Sequence, residues 1–284
     1  MIVMLTACSA AMAQTPAVKS AVKGDVDGDG AVTSSDVTAL YNYLLSGNMT
    51  YYSTSDVNGD GSITSADVTA VYNILLGIDP GVDNHEYVDL GLPSGTLWAT
   101  MNIGANSPEE YGDYFAWGET TPKDVYKWDN YQWSNGTRFN KLIKYCTNSS
   151  YGYNGFVDGK TELEPEDDAA TANWGAQWCM PSEEQLDELI AHCNWQWTTK
   201  NGVNGNLATS KHNGATLFLP AAGYHFGDYL YSPGNYGYYW SRMVNASKSY
   251  QAYYLWFHLE GNLERNYGDR DSGFSVRAVR VAQD

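Results

Sequence analysis

Basic residues are scarce in this 284-residue chain: 16 Lys and Arg stand against 33 Asp and Glu, for a formal net charge of −17. Nucleic-acid phosphates need a basic surface, so nucleic-acid binding is excluded. Histidine is also rare, at five residues (His85, His192, His212, His225 and His258), and none falls in a zinc-protease helix motif. No Gly-x-Ser-x-Gly elbow is present, and no Cys/His spacing suggests zinc. Beyond the N-terminal stretch, no apolar run approaches the ~20 residues of a membrane-spanning helix. Cysteine is limited to Cys8, Cys146, Cys179 and Cys193. In an oxidising compartment the last three predict one disulfide and one free thiol.

The first 13 residues are small and apolar, and Ala11-Met12-Ala13 fits a signal-peptidase site. Leu5-Thr6-Ala7-Cys8 also fits a lipobox, which makes Cys8 an alternative lipid anchor. Segment 1–13 is thus read as a signal peptide, truncated at its basic end or of lipoprotein type, and 14–23 as a linker. Either reading exports the protein.

Two acidic loops then follow at an offset of 31 residues, with 15 of 21 positions identical between 25–45 and 56–76. Side-chain oxygens stand at loop positions 1, 3, 5, 9 and 12: Asp25, Asp27, Asp29, Thr33 and Asp36, then Asp56, Asn58, Asp60, Thr64 and Asp67. Gly30 and Gly61 fill position 6, and the backbone carbonyls of Ala31 and Ser62 stand at position 7. Alternate inward oxygens, a sharp glycine turn and a closing carboxylate are what a hard cation needs, so the spacing predicts two calcium ions. Two divalent ions would raise the formal charge from −17 to −13. Each loop runs into an apolar stripe, Val37, Leu40, Tyr41, Leu44 and Val68, Val71, Tyr72, Leu75, with Gly47 and Gly77 as stop signals.

Too few residues precede Asp25 for a complete EF-hand, and position 12 is Asp rather than Glu. Loop plus following helix, twice, closely resembles a type I dockerin over residues 24–77. The resemblance implies a small all-α domain that docks on a cohesin domain, with its specificity pair at Ser34 and Ser35 and at Ser65 and Ala66. Near-symmetry would permit two docking orientations. The alternative for these serines is the helix N-cap. Tyr41-Asn42 and Tyr72-Asn73 stand where a basic pair is common in that family.

A turn-rich linker, 78–86, leads to a segment with all 10 Trp, abundant Tyr, Gly and Asn, and little helical pattern. One helix is clear, capped by Ser182 with Gln185 at the capping-box position and Leu186, Leu189, Ile190 and Cys193 as its stripe. Strands are expected at 87–90, 97–103, 217–220, 236–240, 252–257 and 274–281. The phrases Val88-Asp-Leu-Gly-Leu-Pro-Ser-Gly-Thr-Leu-Trp98, Tyr111-Gly-Asp-Tyr-Phe-Ala-Trp117-Gly-Glu119, Trp178-Cys-Met-Pro-Ser, Leu219-Pro-Ala-Ala-Gly223, Tyr239-Trp240-Ser241 and Ser275-Val-Arg277 occur in order. Together they resemble the Fibrobacter succinogenes major paralogous domain, common in secreted proteins of Bacteroidetes-type bacteria. That family in turn looks like a C-type-lectin fold, which implies an α+β domain over 87–284 with short antiparallel strands and long loops. Sulfatase-activating relatives of that fold use paired thiols near the C-terminus, and this chain has no cysteine after Cys193.

Function separates on chemistry. Glu164, Glu166, Asp167 and Asp168 form an acidic cluster that could act as a glycosidase carboxylate pair, cap a helix or hold a cation. Residues 224–271 instead carry Tyr229, Tyr231, Tyr236, Tyr238 and further tyrosines among Asn, Ser and Gly, the palette of recognition surfaces. The expectation is a secreted, non-catalytic modular protein. Its dockerin tethers it to a cohesin-type partner, and its C-terminal domain binds a polysaccharide or cell-surface molecule through Tyr229, Tyr231, Tyr236 and Tyr238. The alternatives are a dockerin-borne glycan-active hydrolase and a hypervariable ligand-binding protein.

Overall fold

The computed structural model describes residues 22–46, 54–58, 62–76, 85–259 and 261–281. The expected signal segment, Cys8, Asp60, Gly61, Gly47 and Gly77 lie outside the described residues. The chain divides into two compact units, 1–83 and 84–284.

The first unit holds α1 (Ser34–Ser46) and α2 (Ser65–Leu75), which pack on each other. Its core is small: Val26, Val37, Leu40, Val57, Val68, Ala70 and Val71. The expected apolar stripes are buried only in their first halves. Tyr41, Leu44 and Leu45 are exposed, as are Tyr72, Leu75 and Leu76, because two short helices can cover only the half of each stripe nearest the loops.

The second unit contains, in chain order, β1 (Tyr87–Asp89), β2 (Thr96–Ala99), β3 (Tyr114–Phe115), α3 (Ala169–Trp174), α4 (Glu183–His192), β4 (Cys193–Lys200), β5 (Val203–Ser210), β6 (Thr216–Pro220), β7 (Tyr224–Phe226), β8 (Tyr229–Tyr231), β9 (Tyr236–Val244), β10 (Gln251–His258), β11 (Leu263–Asp269), β12 (Phe274–Ser275) and β13 (Val279–Val281). The central sheet runs β11-β10-β9-β12-β3, flanked by the sheets β1-β2-β13 and β4-β5-β6 and the hairpin β7-β8. All pairings in these sheets are antiparallel except β12 with β9.

α4 begins as expected: Ser182 and Gln185 form a capping box. Leu186 and Leu189 are buried with Tyr239, Leu255 and Phe257 of the central sheet. Arg265 of β11 adds ion pairs to Glu183 and Asp187 of α4, both at 2.8 Å. Cys193 is not the helix's last turn but the first residue of β4. The opposite sheet face packs Trp240 and Phe274 against Phe115, Trp117, Trp178 and Val276.

The expected strands 97–103 and 274–281 are each cut short, for one reason. Arg277 is fully buried. Its Nε donates to Asn102 Oδ1 (2.8 Å), and its Nη1 to the carbonyls of Ala99 (3.1 Å) and Thr100 (2.8 Å). The chain therefore leaves β2 at Ala99 to wrap the guanidinium, and 276–278 cross between sheets as the link from β12 to β13. Trp98, Trp117, Trp178, Trp240 and Arg277, which carry the family-like phrases, are all buried, so those phrases speak for architecture rather than for a surface.

The expected disulfide does not form: Cys146, Cys179 and Cys193 are free thiols. Cys146 packs with Tyr126, Tyr131 and Leu142, Cys193 packs with the α4 cluster, and Cys179 receives an Arg242 Nη1 bond at 3.3 Å.

Candidate functional sites: an acidic loop and an aromatic sheet face

In the first loop, Asp25, Asp27 and Asp29 each bring one carboxylate oxygen within 4.8 Å of the others. Asp25 is buried, and its Oδ2 accepts from Gly30 N at 2.9 Å. Its Oδ1 is buried without a hydrogen-bond partner. A buried, unpaired carboxylate oxygen beside two more carboxylates is unstable alone and is satisfied by a cation. Gly30 turns the loop at φ +94°, the left-handed region that favours glycine. The residues present therefore fit a calcium ion.

Asp36 stands outside that trio. It is fully buried, and its Oδ1 accepts from Val26 N (2.6 Å) and Asp27 N (3.1 Å) while its Oδ2 accepts from Thr33 N (2.7 Å). Asp67 repeats this: Oδ1 accepts from Val57 N (2.7 Å) and Asn58 N (3.1 Å), and Oδ2 from Thr64 N (2.8 Å). Both position-12 carboxylates thus bolt a loop to its helix. Thr54 Oγ1 donates to the Asp25 carbonyl at 2.5 Å and ties the repeats together. Asp56 is half-buried, and Asn58 and Ser62 are exposed. Ala31 donates its N–H to Asp29 Oδ1 at 2.8 Å.

The helix caps are the threonines, not the serines. Thr64 accepts from Ala66 N (3.1 Å) and Thr33 Oγ1 from Ser35 N (3.2 Å). Ser34, Ser35, Ser65 and Ala66 are all exposed inside the first helical turns. With Thr38, Tyr41, Asn42 and Leu45, and with Thr69, Tyr72, Asn73 and Leu76, they make two matching outer helix faces at the 31-residue offset.

In the second unit, Glu164, Asp167 and Asp168 of the acidic cluster are bonded into the fold. Asp168 caps α3, accepting from Ala170 N (2.8 Å) and Thr171 N (3.0 Å), and also takes Met180 N at 2.8 Å. Asp167 accepts from the Tyr145 hydroxyl and from Lys144 Nζ (2.6 Å), which also reaches Glu164 at 2.7 Å. Of the alternatives for the acidic cluster, a helix cap is what Asp168 supplies.

The tyrosines divide by strand alternation. Tyr239 faces the α4 side and is buried. Tyr236 and Tyr238 of β9 face the other way, with Tyr254, Trp256 and His258 of β10: Tyr238 lies opposite Trp256 and Tyr236 opposite His258. Tyr224 stacks on Tyr231 (5.4 Å) and meets Tyr238 (4.9 Å), and Tyr236 stacks on Trp256 (6.2 Å). Tyr229 is 65 % exposed and Tyr231 41 %, while Tyr236 and Tyr238 are half-buried. All four expected binding tyrosines therefore join one aromatic strip.

Beside the strip, Lys127, Trp128, Asp129, Thr137, Phe226, Asp269 and Asp271 line a cavity of about 320 Å³. Sequence reading passed over Asp269 and Asp271, since nothing in their spacing marks them. Burial, then the nearby Asp269 charge, pushes the Asp271 carboxyl up to about 7. The folded value lies above the unfolded ~3.9, so this group's contribution to stability falls as pH rises from about 4 to about 7. Asp271→Asn is therefore expected to stabilise the protein at pH 8 by up to about 4 kcal/mol, or roughly 8–16 °C, and not at pH 4. Scanning calorimetry at the two pH values checks this; equal shifts at both would contradict it.

A family model for the dockerin type I domain matches residues 23–76 and 52–90. No curated protein and no solved structure matches the chain. The N-terminal region thus carries a dockerin type I domain, and dockerin domains bind calcium and cohesin partners. Among the described residues, no helix is long and apolar enough to cross a membrane.

Proposed function

We propose that this is an exported, non-catalytic modular protein. Its dockerin binds two calcium ions and tethers it to a cohesin-type partner through the outer faces of α1 and α2. Its C-terminal unit, read as C-type-lectin-like on its resemblance to the Fibrobacter succinogenes major paralogous domain, binds an external polysaccharide or cell-surface glycan.

One observation carries the ligand reading. Tyr229, Tyr231, Tyr224, Tyr238, Tyr236 and Trp256 form a continuous aromatic strip that ends in the exposed Tyr229 and Tyr231 rings of β8. Sugar rings present flat apolar faces, and aromatic rings with polar tips bind them while staying wet at the edge. Tyr239, by contrast, is core, and its hydroxyl donates to the Pro220 carbonyl at 2.6 Å.

Replacing both Tyr229 and Tyr231 by Ala is expected to weaken polysaccharide binding about tenfold or more, with little effect on the melting temperature, since both rings are exposed. Affinity electrophoresis on a polysaccharide panel reads this. Unchanged affinity in the folded variant would move the site elsewhere.

A further inference from the structure

The cavity beside the strip has a composition that flat sugar stacking does not explain. Three of its seven lining residues are carboxylates, Asp129, Asp269 and Asp271, and two are aromatic, Trp128 and Phe226. Asp129 already has a cationic partner, Lys127 Nζ at 3.3 Å. Asp269 Oδ1 accepts a neutral bond from Gln251 Nε2 at 3.0 Å. Asp271 is 1 % exposed, and its Oδ1 is buried with no hydrogen-bond partner.

The walls are fixed from both sides. Gly227 and Tyr126 exchange backbone bonds at 2.7 and 2.8 Å, and His225 and Gly273 do so at 2.8 and 2.9 Å. Between the two carboxylates, Arg270 is fully buried and points away from the cavity. Its Nε donates to Tyr131 Oη (2.8 Å), and its Nη1 donates to the carbonyls of Tyr145 (3.1 Å) and Ser249 (2.8 Å). That anchor, with Ser272 N bonded to Asp269 O at 3.1 Å, holds Asp269 and Asp271 in place.

We propose that this cavity binds a positively charged amine carried on a sugar ring, so that the preferred ligand is an amino-sugar polysaccharide with free amines. An ammonium group offers donors to Asp269 and to the unpaired Asp271 oxygen, and a cation is attracted to the Trp128 and Phe226 rings. A cavity of about 320 Å³ suits one sugar-sized ligand. The sugar, rather than a peptide, follows from the hairpin. Phe226 lies opposite Tyr229 and Tyr224 opposite Tyr231, so all four rings project from one hairpin face and join the cavity to the strip. In this one respect the inference rests on the glycan reading above. The charged form of Asp271 is held at a cost to folding, which is common where a group is kept for binding.

The test is calorimetric titration of the full chain, in calcium, with glucosamine tetramer, N-acetylglucosamine tetramer and cellotetraose. The glucosamine tetramer is expected to bind at least about tenfold tighter than both neutral tetramers, from charge-assisted bonds the others lack. Asp269→Asn and Asp271→Asn should each erase that preference and leave the neutral tetramers unchanged, and higher salt should shrink it. Asp269→Asn is decisive alone. Equal affinity for the three tetramers, a preference that survives Asp269→Asn, or equally tight binding of a lysine hexapeptide would overturn the inference. Neutral tetramers that bind without any amine preference would leave the aromatic strip standing and remove only the cavity. Binding of the glucosamine tetramer alone would do the reverse.

Discussion

Chelating calcium is expected to unfold the N-terminal unit while the C-terminal unit stays folded. Among the described residues, the apolar core of the first unit holds seven buried residues, of which the largest is Leu40. A core of that size supplies at most ~3–5 kcal/mol. Asp25, Asp27 and Asp29 crowd negative charge around a buried, unpaired Asp25 oxygen, which subtracts further. Each ion at a thousandfold excess over its Kd adds about 4 kcal/mol, so two ions outweigh the core itself. The second unit builds its large clusters from Trp98, Trp117, Trp178 and Trp240 and needs no ion for them. Calorimetry of the full chain should show two transitions, of which only the smaller moves with calcium. Uptake of two ions per chain is expected, and uptake of none, or of one, would contradict the scheme.

Asp36→Ala is expected to be the most damaging single substitution in that unit, with Asp67→Ala its equal. Removing the Asp36 carboxylate strips acceptors from Val26 N, Asp27 N and Thr33 N at once. The buried Val26 N left without a partner costs about 1–3 kcal/mol, and the part-buried Asp27 N and Thr33 N add smaller losses, so the total rivals the stability of the unit. Thr33→Ala loses the weaker cap bond from Ser35 N and should cost about 1 kcal/mol. The calcium-dependent transition should therefore disappear in the Asp variants and move modestly in the Thr variants. Equal losses would show that Asp36 does not bolt the loop to the helix.

The repeated loops were the most legible part of the chain, because metal-ligand spacing is local and duplication suppresses chance. The Ser182–Gln185 capping box was legible for the same reason. What escaped were contacts made by distant residues. The hairpin β4-β5 had a local signal, Asn201-Gly202, whose φ values of +49° and +84° match a two-residue turn, but its strands lack clean alternation. The break after Ala99 depends on Arg277, 178 residues further on. Strand alternation over 236–240 separates Tyr239 from Tyr236 and Tyr238, yet which face is wet is decided by α4. Asp269 and Asp271 gained meaning only when Trp128 and Phe226 were brought beside them.

Adsorption of the full chain to insoluble polysaccharides, with released reducing ends counted in the same tubes, tests the central reading most directly. The expected result is depletion of the protein from solution on at least one polysaccharide, weakened in the Tyr229→Ala/Tyr231→Ala variant, with no product above the blank. Product release that vanishes in Asp269→Asn or Asp271→Asn would instead make the protein a dockerin-borne hydrolase and contradict the binding role.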